Sequence, residues 1–169
     1  KQTQAAFNLL DQALSAQPEQ ADLLYETALL AERLGRVDVL ETHLRKLIAL
    51  KPDSAQAYNA LGYSYADRNL RLPEARELIE KALSLAPEDP FILDSMGWVL
   101  YRQGDFPGAL TQLERAYAQR PDPEIAAHAG DIVHETTAFK VKAPENWGLK
   151  KFRVEKDGKH GSWQLFSPS

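Results

Sequence analysis

Four prolines recur at a nearly constant interval along the chain. The intervals are 34, 35 and 34 residues, and the prolines are Pro18, Pro52, Pro87 and Pro121. Apolar residues keep fixed places before each of them, with Ala or Leu five residues before and Leu or Ile eight residues before. A period of this length is typical of repeat proteins, in which a short unit buries its apolar face only by stacking on its neighbours. The chain is therefore predicted to be a solenoid.

The spacing within each unit predicts two α-helices. Tyr58, Leu61 and Tyr65 lie at i, i+3 and i+7, which puts them on one apolar helix face. Each proline of the series ends a second helix, because proline restricts the residue before it. Turns between the helices are expected at residues 33–36, 69–73 and 103–107. Three glycines share one phase, where one helix pair is expected to press closely on the next, and they are Gly62, Gly97 and Gly130.

One unit carries a motif that points to a known family, and it reads Tyr58-x-x-Leu61-Gly62-x-x-Tyr65, then Ala75, Ile79, Ala82 and Pro87. This motif closely resembles the tetratricopeptide repeat, a helix-turn-helix unit of about 34 residues. The resemblance implies an all-α, right-handed solenoid of antiparallel helix pairs over residues 1–137. The expected divisions are a half repeat, three full repeats and a second half repeat, at 1–20, 21–54, 55–89, 90–123 and 124–137.

Charge is divided unevenly along the chain. Residues 1–139 hold 13 Lys and Arg against 21 Asp and Glu, whereas residues 140–169 hold seven against three. An acidic array is a poor partner for nucleic acid, because such binding depends on neutralising phosphates. No run of 18 apolar residues occurs, so no transmembrane segment is predicted. The absence of cysteine excludes disulfides and thiol catalysis within this segment.

The repeat pattern stops after Gly130, and residues 138–169 form a basic tail outside it. Residues 151–156 and 162–166 alternate in polarity around Asp157-Gly158, which predicts a short β-hairpin. Apolar residues of the last repeat helix favour docking of residues 139–166 on an array surface. The alternatives are a tail that is weakly ordered, the start of a separate β domain, an appended segment, or an arm that reaches into a second copy and forms a homo-oligomer.

Motifs for catalysis or metal binding are absent from the sequence. It has no Gly-rich phosphate loop, no His-Glu-x-x-His and no Gly-x-Ser-x-Gly. His128, Asp131 and His134 are spaced i, i+3 and i+6, whereas two histidines that bind zinc from one helix need i, i+4. The chain is therefore predicted to have no cofactor and no metal and not to be an enzyme. The alternative enzyme hypothesis needs a catalytic domain in the tail or outside this segment.

The resemblance also implies a binding surface. First helices of successive tetratricopeptide repeats line a concave groove that accepts a peptide or a helix. Aromatic side chains in such a groove bury a large area at small entropic cost, so replacing Trp98 by Ala is expected to weaken binding while leaving helicity unchanged. For each aromatic residue, packing between adjacent first helices is the alternative. The positions carried over are Tyr25, Leu29, Asn59, Tyr63, Phe91, Asp94, Ser95, Trp98, Tyr101, Arg102, His128 and Asp131.

The partner implied by the resemblance is a protein or a peptide. A cochaperone is disfavoured, because positions that hold Lys, Asn or Arg in carboxylate-clamp members are here Tyr25, Leu29, Ala60, Phe91 and Ser95. Residues 94–104 and 121–128 resemble the distal repeats of bacterial envelope tetratricopeptide lipoproteins, some of which deliver substrates to a periplasmic carboxyl-terminal processing protease. This implies a scaffold or adaptor in the periplasm or at the periplasmic face of the outer membrane, with the cytoplasm as the alternative. The alternative function is a self-assembling module whose groove or end is filled by its own or a neighbour's tail.

Overall fold

The chain folds almost entirely into helices. A computed structural model describes residues 2–138, 155–157 and 160–162, with side chains described for residues 2–132. The all-α fold class predicted from the sequence is confirmed. Among the described residues, every helix is too short or too polar to span a bilayer. The helices are α1 (Gln2–Ala16), α2 (Ala21–Arg33), α3 (Val37–Leu50), α4 (Ala55–Asp67), α5 (Leu72–Leu85), α6 (Pro90–Arg102), α7 (Phe106–Gln119) and α8 (Pro123–Ala138).

Contacts divide the chain into two compact units. Unit 1 is Lys1–Pro87 and contains α1 to α5, and unit 2 is Glu88–Ser169 and contains α6 to α8. Within unit 1, α2 packs on α3 and α4 packs on α5, while α1 contacts α2 and α3 contacts α4. Within unit 2, α6 packs on α7, and α8 contacts both of them. Each predicted full repeat thus contains one helix pair, and α2, α4, α6 and α8 occupy the first-helix positions.

Glycines of the first helices allow close packing within each pair. A Cβ atom placed on Gly62 would lie 2.7 Å from Cγ1 of Ile79 and 2.9 Å from the carbonyl oxygen of Ala75, both in α5. A Cβ atom on Gly97 would lie 2.7 Å from Cγ of Leu113 in α7. The expected contact between one helix pair and the next is therefore wrong for these two glycines. Both glycines face the second helix of their own pair. The backbone of that helix comes closest to them at Ala75 in α5 and at Ala109 in α7.

The turns within the helix pairs overlap the predicted ranges, but two of them end earlier than predicted, because α5 begins at Leu72 and α7 begins at Phe106. Gly35 and Gly104 have φ angles of 69° and 85°, a backbone region open to glycine at little steric cost. The pair α4–α5 has one extra residue in its turn and uses Asn69 and Arg71 instead, with φ angles of 55° and 43°. The extra residue thus changes the path of the turn and places Arg71 at the N-cap of α5.

A small hairpin is present in the tail. Its strands are β1 (Glu155–Asp157) and β2 (His160–Ser162), which pair antiparallel, and β2 lies close to α8. The predicted turn is wrong by one residue, because Asp157 pairs with His160 and so belongs to the ladder. Glu155, Lys156 and Ser162 lie in strands, as predicted. The other residues of the two predicted strands lie outside the described residues.

Candidate functional site

A buried ion pair joins two first helices in unit 2. Nδ1 of His128 on α8 lies 2.9 Å from Oδ1 and 3.0 Å from Oδ2 of Asp94 on α6. Only 11% of the His128 side chain and 9% of the Asp94 side chain are exposed. The carboxylate of Asp94 thus accepts the Nδ1–H of the imidazole away from bulk water, and this bond fixes α8 against α6 at one point.

Trp98 lies beside this ion pair in a stack of rings and charges. The imidazole of His128 stacks on the indole with ring centroids 4.4 Å apart and an interplanar angle of 24°. The ring of Tyr101 is 4.9 Å away, and the guanidinium carbon of Arg102 lies 4.9 Å from the indole centroid. Trp98 is only 7% exposed, and its buried Nε1 has no hydrogen-bond partner among the described residues. Trp98 therefore packs between α6 and α8, the alternative that the sequence left open.

Phe91 is the exposed aromatic residue of the same face. Its exposed fraction is 46%, and the guanidinium carbon of Arg120 lies 5.1 Å from its ring centroid. Ser95, which was also assigned to the groove, is buried and donates its hydroxyl to the carbonyl oxygen of Phe91 at 3.0 Å. The accessible part of this face therefore consists of one exposed aromatic residue, two half-buried residues and one exposed acid: Phe91, Tyr101, Arg102 and Asp131.

The environment of His128 favours its charged form. Burial disfavours an imidazolium and opposes charging, but the hydrogen bond to Asp94 acts the other way. The negative charges of Asp94, Glu124 and Asp131 add to this effect, so the pKa of His128 is raised above its ordinary value of 6.5. The imidazolium is therefore the favoured form of His128 in mildly acidic conditions.

Predicted groove residues of unit 1 lie on α2 and α4. Tyr25, Leu29, Asn59 and Tyr63 are all half-buried. Burial, assisted by the charge of Glu26, raises the pKa of the Tyr25 hydroxyl, so this phenol stays neutral at physiological pH. Oδ1 of Asn59 is buried without a hydrogen-bond partner among the described residues.

A salt-bridge network in unit 1 was not predicted from the sequence. Arg45 of α3 contacts Glu41 of the same helix at 2.9 Å and Glu74 of α5 at 2.6 Å. Arg71 lies 2.9 Å from Glu41, and the hydroxyl of Tyr65 accepts hydrogen bonds from Arg45 and Arg71 at 3.2 Å each. The network joins α3, α4 and α5. In the sequence, Tyr65 is only an apolar residue of the repeat motif. Arg71, whose backbone is left-handed and whose guanidinium reaches the Tyr65 hydroxyl, is marked in the sequence only by the extra residue in the turn.

Unit 1 also contains a cavity of about 350 Å³ between α1 and α3. The guanidinium carbon of Arg36 lies 4.6 Å from the centroid of the Phe7 ring at its wall. Burial lowers the pKa of His43, although the charge of Asp11 opposes this effect. No sequence pattern indicated the cavity. Its lining comes from second helices α1 and α3 and from Arg36, which precedes α3, and it consists of Phe7, Asn8, Asp11, Arg36, Asp38, Val39, Thr42 and His43.

Metal binding finds no support at the one cluster that the sequence singled out. Within the described part of the chain, no group of three or more His, Cys, Asp or Glu side chains could hold a metal ion. His128 is paired with Asp94 on the neighbouring first helix, and Asp131 is exposed. The side chain of His134 lies outside the described residues.

Comparison with known proteins gives one family along most of the chain. The tetratricopeptide repeat family matches residues 2–39, 41–90 and 95–138. The TPR repeat-containing protein PA4667 of Pseudomonas aeruginosa is 48% identical over 130 residues. That match covers 77% of this chain but only 22% of PA4667, so the chain spans about a fifth of the length of this relative.

Solved structures show the same fold. TTC0263, a thermophilic TPR protein of Thermus thermophilus, has a TM-score of 0.74 at 22% identity, covering 82% of this chain and 76% of its own. YrrB, a TPR protein with an unusual peptide-binding site, has a TM-score of 0.65 at 22% identity, covering 77% of this chain and 66% of its own. Together with the family match over most of the sequence, these likenesses lead to one conclusion: the chain belongs to the tetratricopeptide repeat family.

Proposed function

We propose that this chain is a non-catalytic interaction module that binds a polypeptide on the first-helix face of its repeats. The TPR fold generally mediates contacts between proteins. The observation that carries the proposal for this chain is Phe91, a large aromatic side chain that stays 46% exposed on α6. All nine residues that follow it, from 92 to 100, are buried. An exposed aromatic residue on so well packed a helix has the character of an interface anchor.

The surroundings of Phe91 suit a polypeptide ligand. Arg120 lies over its ring, and the half-buried Tyr101 and Arg102 lie further along α6. Tyrosine, phenylalanine and arginine are enriched at protein interfaces, because each buries a large area, and tyrosine and arginine also form hydrogen bonds. The buried hydrogen bond between His128 and Asp94 holds α8 against α6, the helix that carries this surface. A surface that is already ordered loses less conformational entropy when it binds a partner.

An envelope adaptor is the finer form of this proposal. The module would act in the periplasm or at the periplasmic face of the outer membrane and deliver substrates to a carboxyl-terminal processing protease. Support comes from the resemblance of residues 94–104 to envelope TPR lipoproteins, while the cytoplasm is the alternative location. The test is capture of partners from an envelope extract, followed by binding of the purified protease. If the purified protease showed no measurable affinity for the array, the adaptor role would be contradicted.

Site-specific photo-crosslinking tests which face binds. A crosslinking amino acid at position 91 is expected to capture a polypeptide partner, whereas one at position 111, exposed on second helix α7, is expected to capture none. With the captured partner purified, Phe91→Ala should weaken its affinity by about tenfold or more, as for an interface anchor. Leu85→Ala is the matched control, because Leu85 is 38% exposed but lies on second helix α5. Equal loss in both variants would contradict the proposed face.

Self-assembly is the second candidate function, and the division of charge favours it. Residues 1–139 are acidic, residues 140–169 are basic, and β2 lies close to α8. Oppositely charged segments attract one another within one chain or between copies. In this alternative the tail fills the groove or the end of its own array or of a second copy.

Deleting residues 140–169 is expected to lower the melting temperature, expose apolar surface to a hydrophobic dye and change the mass in solution. Light scattering at several protein concentrations gives the mass of the full and shortened chains. A full-length variant with Lys150→Glu and Lys151→Glu keeps the tail but reverses part of its charge, and should show a weaker form of the same change. A shortened chain with unchanged mass, stability and dye binding would make the tail irrelevant to assembly.

A further inference from the structure

The contact between α6 and α8 depends on an ionisable side chain, the imidazole of His128. His128 on α8 touches α6 twice, through the hydrogen bond to Asp94 and through the stack on Trp98. Both partners of the hydrogen bond are about nine-tenths buried. Bulk water therefore screens the pair poorly, and a change of charge on the imidazole acts directly on the helix contact.

The charged groups around His128 act in opposite directions. On α6, Asp94 accepts its Nδ1–H, while the guanidinium of Arg102 lies over the Trp98 indole that the imidazole also touches. On α8, the negative charges of Glu124 and Asp131 act on the imidazole. Among the described residues, the acids Asp94, Glu124 and Asp131 together favour an imidazolium despite its burial.

We propose that protonation of His128 locks α8 onto α6, and that loss of this proton loosens the contact and so makes the proposed binding face sensitive to pH. The role of this face in binding rests on the proposed function above, whereas the lock itself does not. An imidazolium forms a charge-assisted hydrogen bond with Asp94 and a cation–π contact with Trp98. A neutral imidazole keeps an uncharged hydrogen bond and the ring stack, but it loses the charge assistance and the cation–π attraction.

The direction of the pH dependence follows from the raised pKa of His128. A group that binds its proton more tightly in the folded chain stabilises the fold most where both states are protonated. That contribution is fully present below the ordinary value of 6.5 and is lost as the pH rises through the value in the folded chain. Mild acid should therefore tighten the contact between α6 and α8, and mild alkali should weaken it.

Fluorescence of Trp98 tests the lock without any binding partner. Trp147→Phe and Trp163→Phe leave Trp98 as the single indole of the full chain. A stacked imidazolium quenches an excited indole by accepting an electron, so emission should rise as His128 loses its proton. The expected midpoint lies above 6.5 in the parent. His128→Gln should abolish the transition, Asp94→Asn should lower its midpoint, and His43→Gln in unit 1 should leave it unchanged.

Urea unfolding followed by the same fluorescence gives an independent measure. The difference in urea midpoint between the parent and His128→Gln should be largest near pH 6 and shrink by about half or more near pH 9. A parent whose emission is flat over this range, or titrates with a midpoint at or below 6.5, would overturn the lock even if neither variant folded. Failure of the crosslinking experiment at position 91 would instead overturn the binding face and leave the titration intact.

Discussion

Gly97→Leu and Gly62→Leu are each expected to lower the free energy of unfolding by about 3 kcal/mol. The first added carbon atom alone would lie 2.7 Å from a side-chain carbon of the facing helix, Leu113 in one case and Ile79 in the other. Backbone lies almost as close, because the carbonyl oxygen of Ala109 is 3.1 Å from the added atom at position 97. The helix pair therefore has to separate before a larger side chain fits.

Urea and thermal unfolding followed by circular dichroism measure this loss. Ala118→Leu on α7 and Ala49→Leu on α3 are the matched controls, since both positions are exposed on helices and should change stability by less than about 0.5 kcal/mol. Gly97→Ala and Gly62→Ala should lie between parent and Leu variants, and they give a measurable value if the Leu variants do not fold. Leu variants that melt within about a degree of the parent would contradict close packing at these glycines.

The sequence predicted the helices well because repeat proteins are built from local rules. A proline at each unit boundary and a glycine at a fixed phase of the first helix limit where helices begin, end and cross. The same periodicity does not show which neighbouring helix a residue faces. The prediction that position 62 needs a very small residue was therefore correct, but the predicted neighbour was wrong. Contacts within a helix pair and contacts between pairs recur with the same period, so the period does not distinguish them.

The sequence predicted where the candidate site lies, but not which of its residues are buried and which are exposed. Family positions placed Phe91, Asp94, Trp98 and His128 on one face, yet the structure buries Trp98 under His128 and leaves Phe91 exposed. Burial depends on how far α8 lies from α6, and sequence spacing does not contain that distance. The sequence grouped His128 with residues of its own helix, whereas its partner Asp94 lies 34 residues away, one repeat length earlier.

Trp98→Ala is expected to lower the free energy of unfolding of unit 2 by about 3 to 5 kcal/mol, the usual cost of removing a buried aromatic side chain. The indole is 7% exposed and fills the space beside His128, Tyr101 and Arg102. Its removal leaves a cavity next to the buried Asp94 carboxylate. The structure thus adds a cost in stability to the weakened binding that the sequence predicted for this replacement.

Comparison with Phe91→Ala separates the supporting residue from the contact residue. Phe91 is largely outside the packed layer, so its replacement should reduce partner affinity while changing the unfolding midpoint little, whereas Trp98→Ala should reduce both. Hydrogen exchange of α6 and α8 amides measures the stability of this face, and binding of the partner captured at position 91 measures affinity. If Trp98→Ala weakened binding but left exchange and unfolding unchanged, the indole would act as an accessible anchor. The stack with His128 would then contribute nothing to the folding of unit 2.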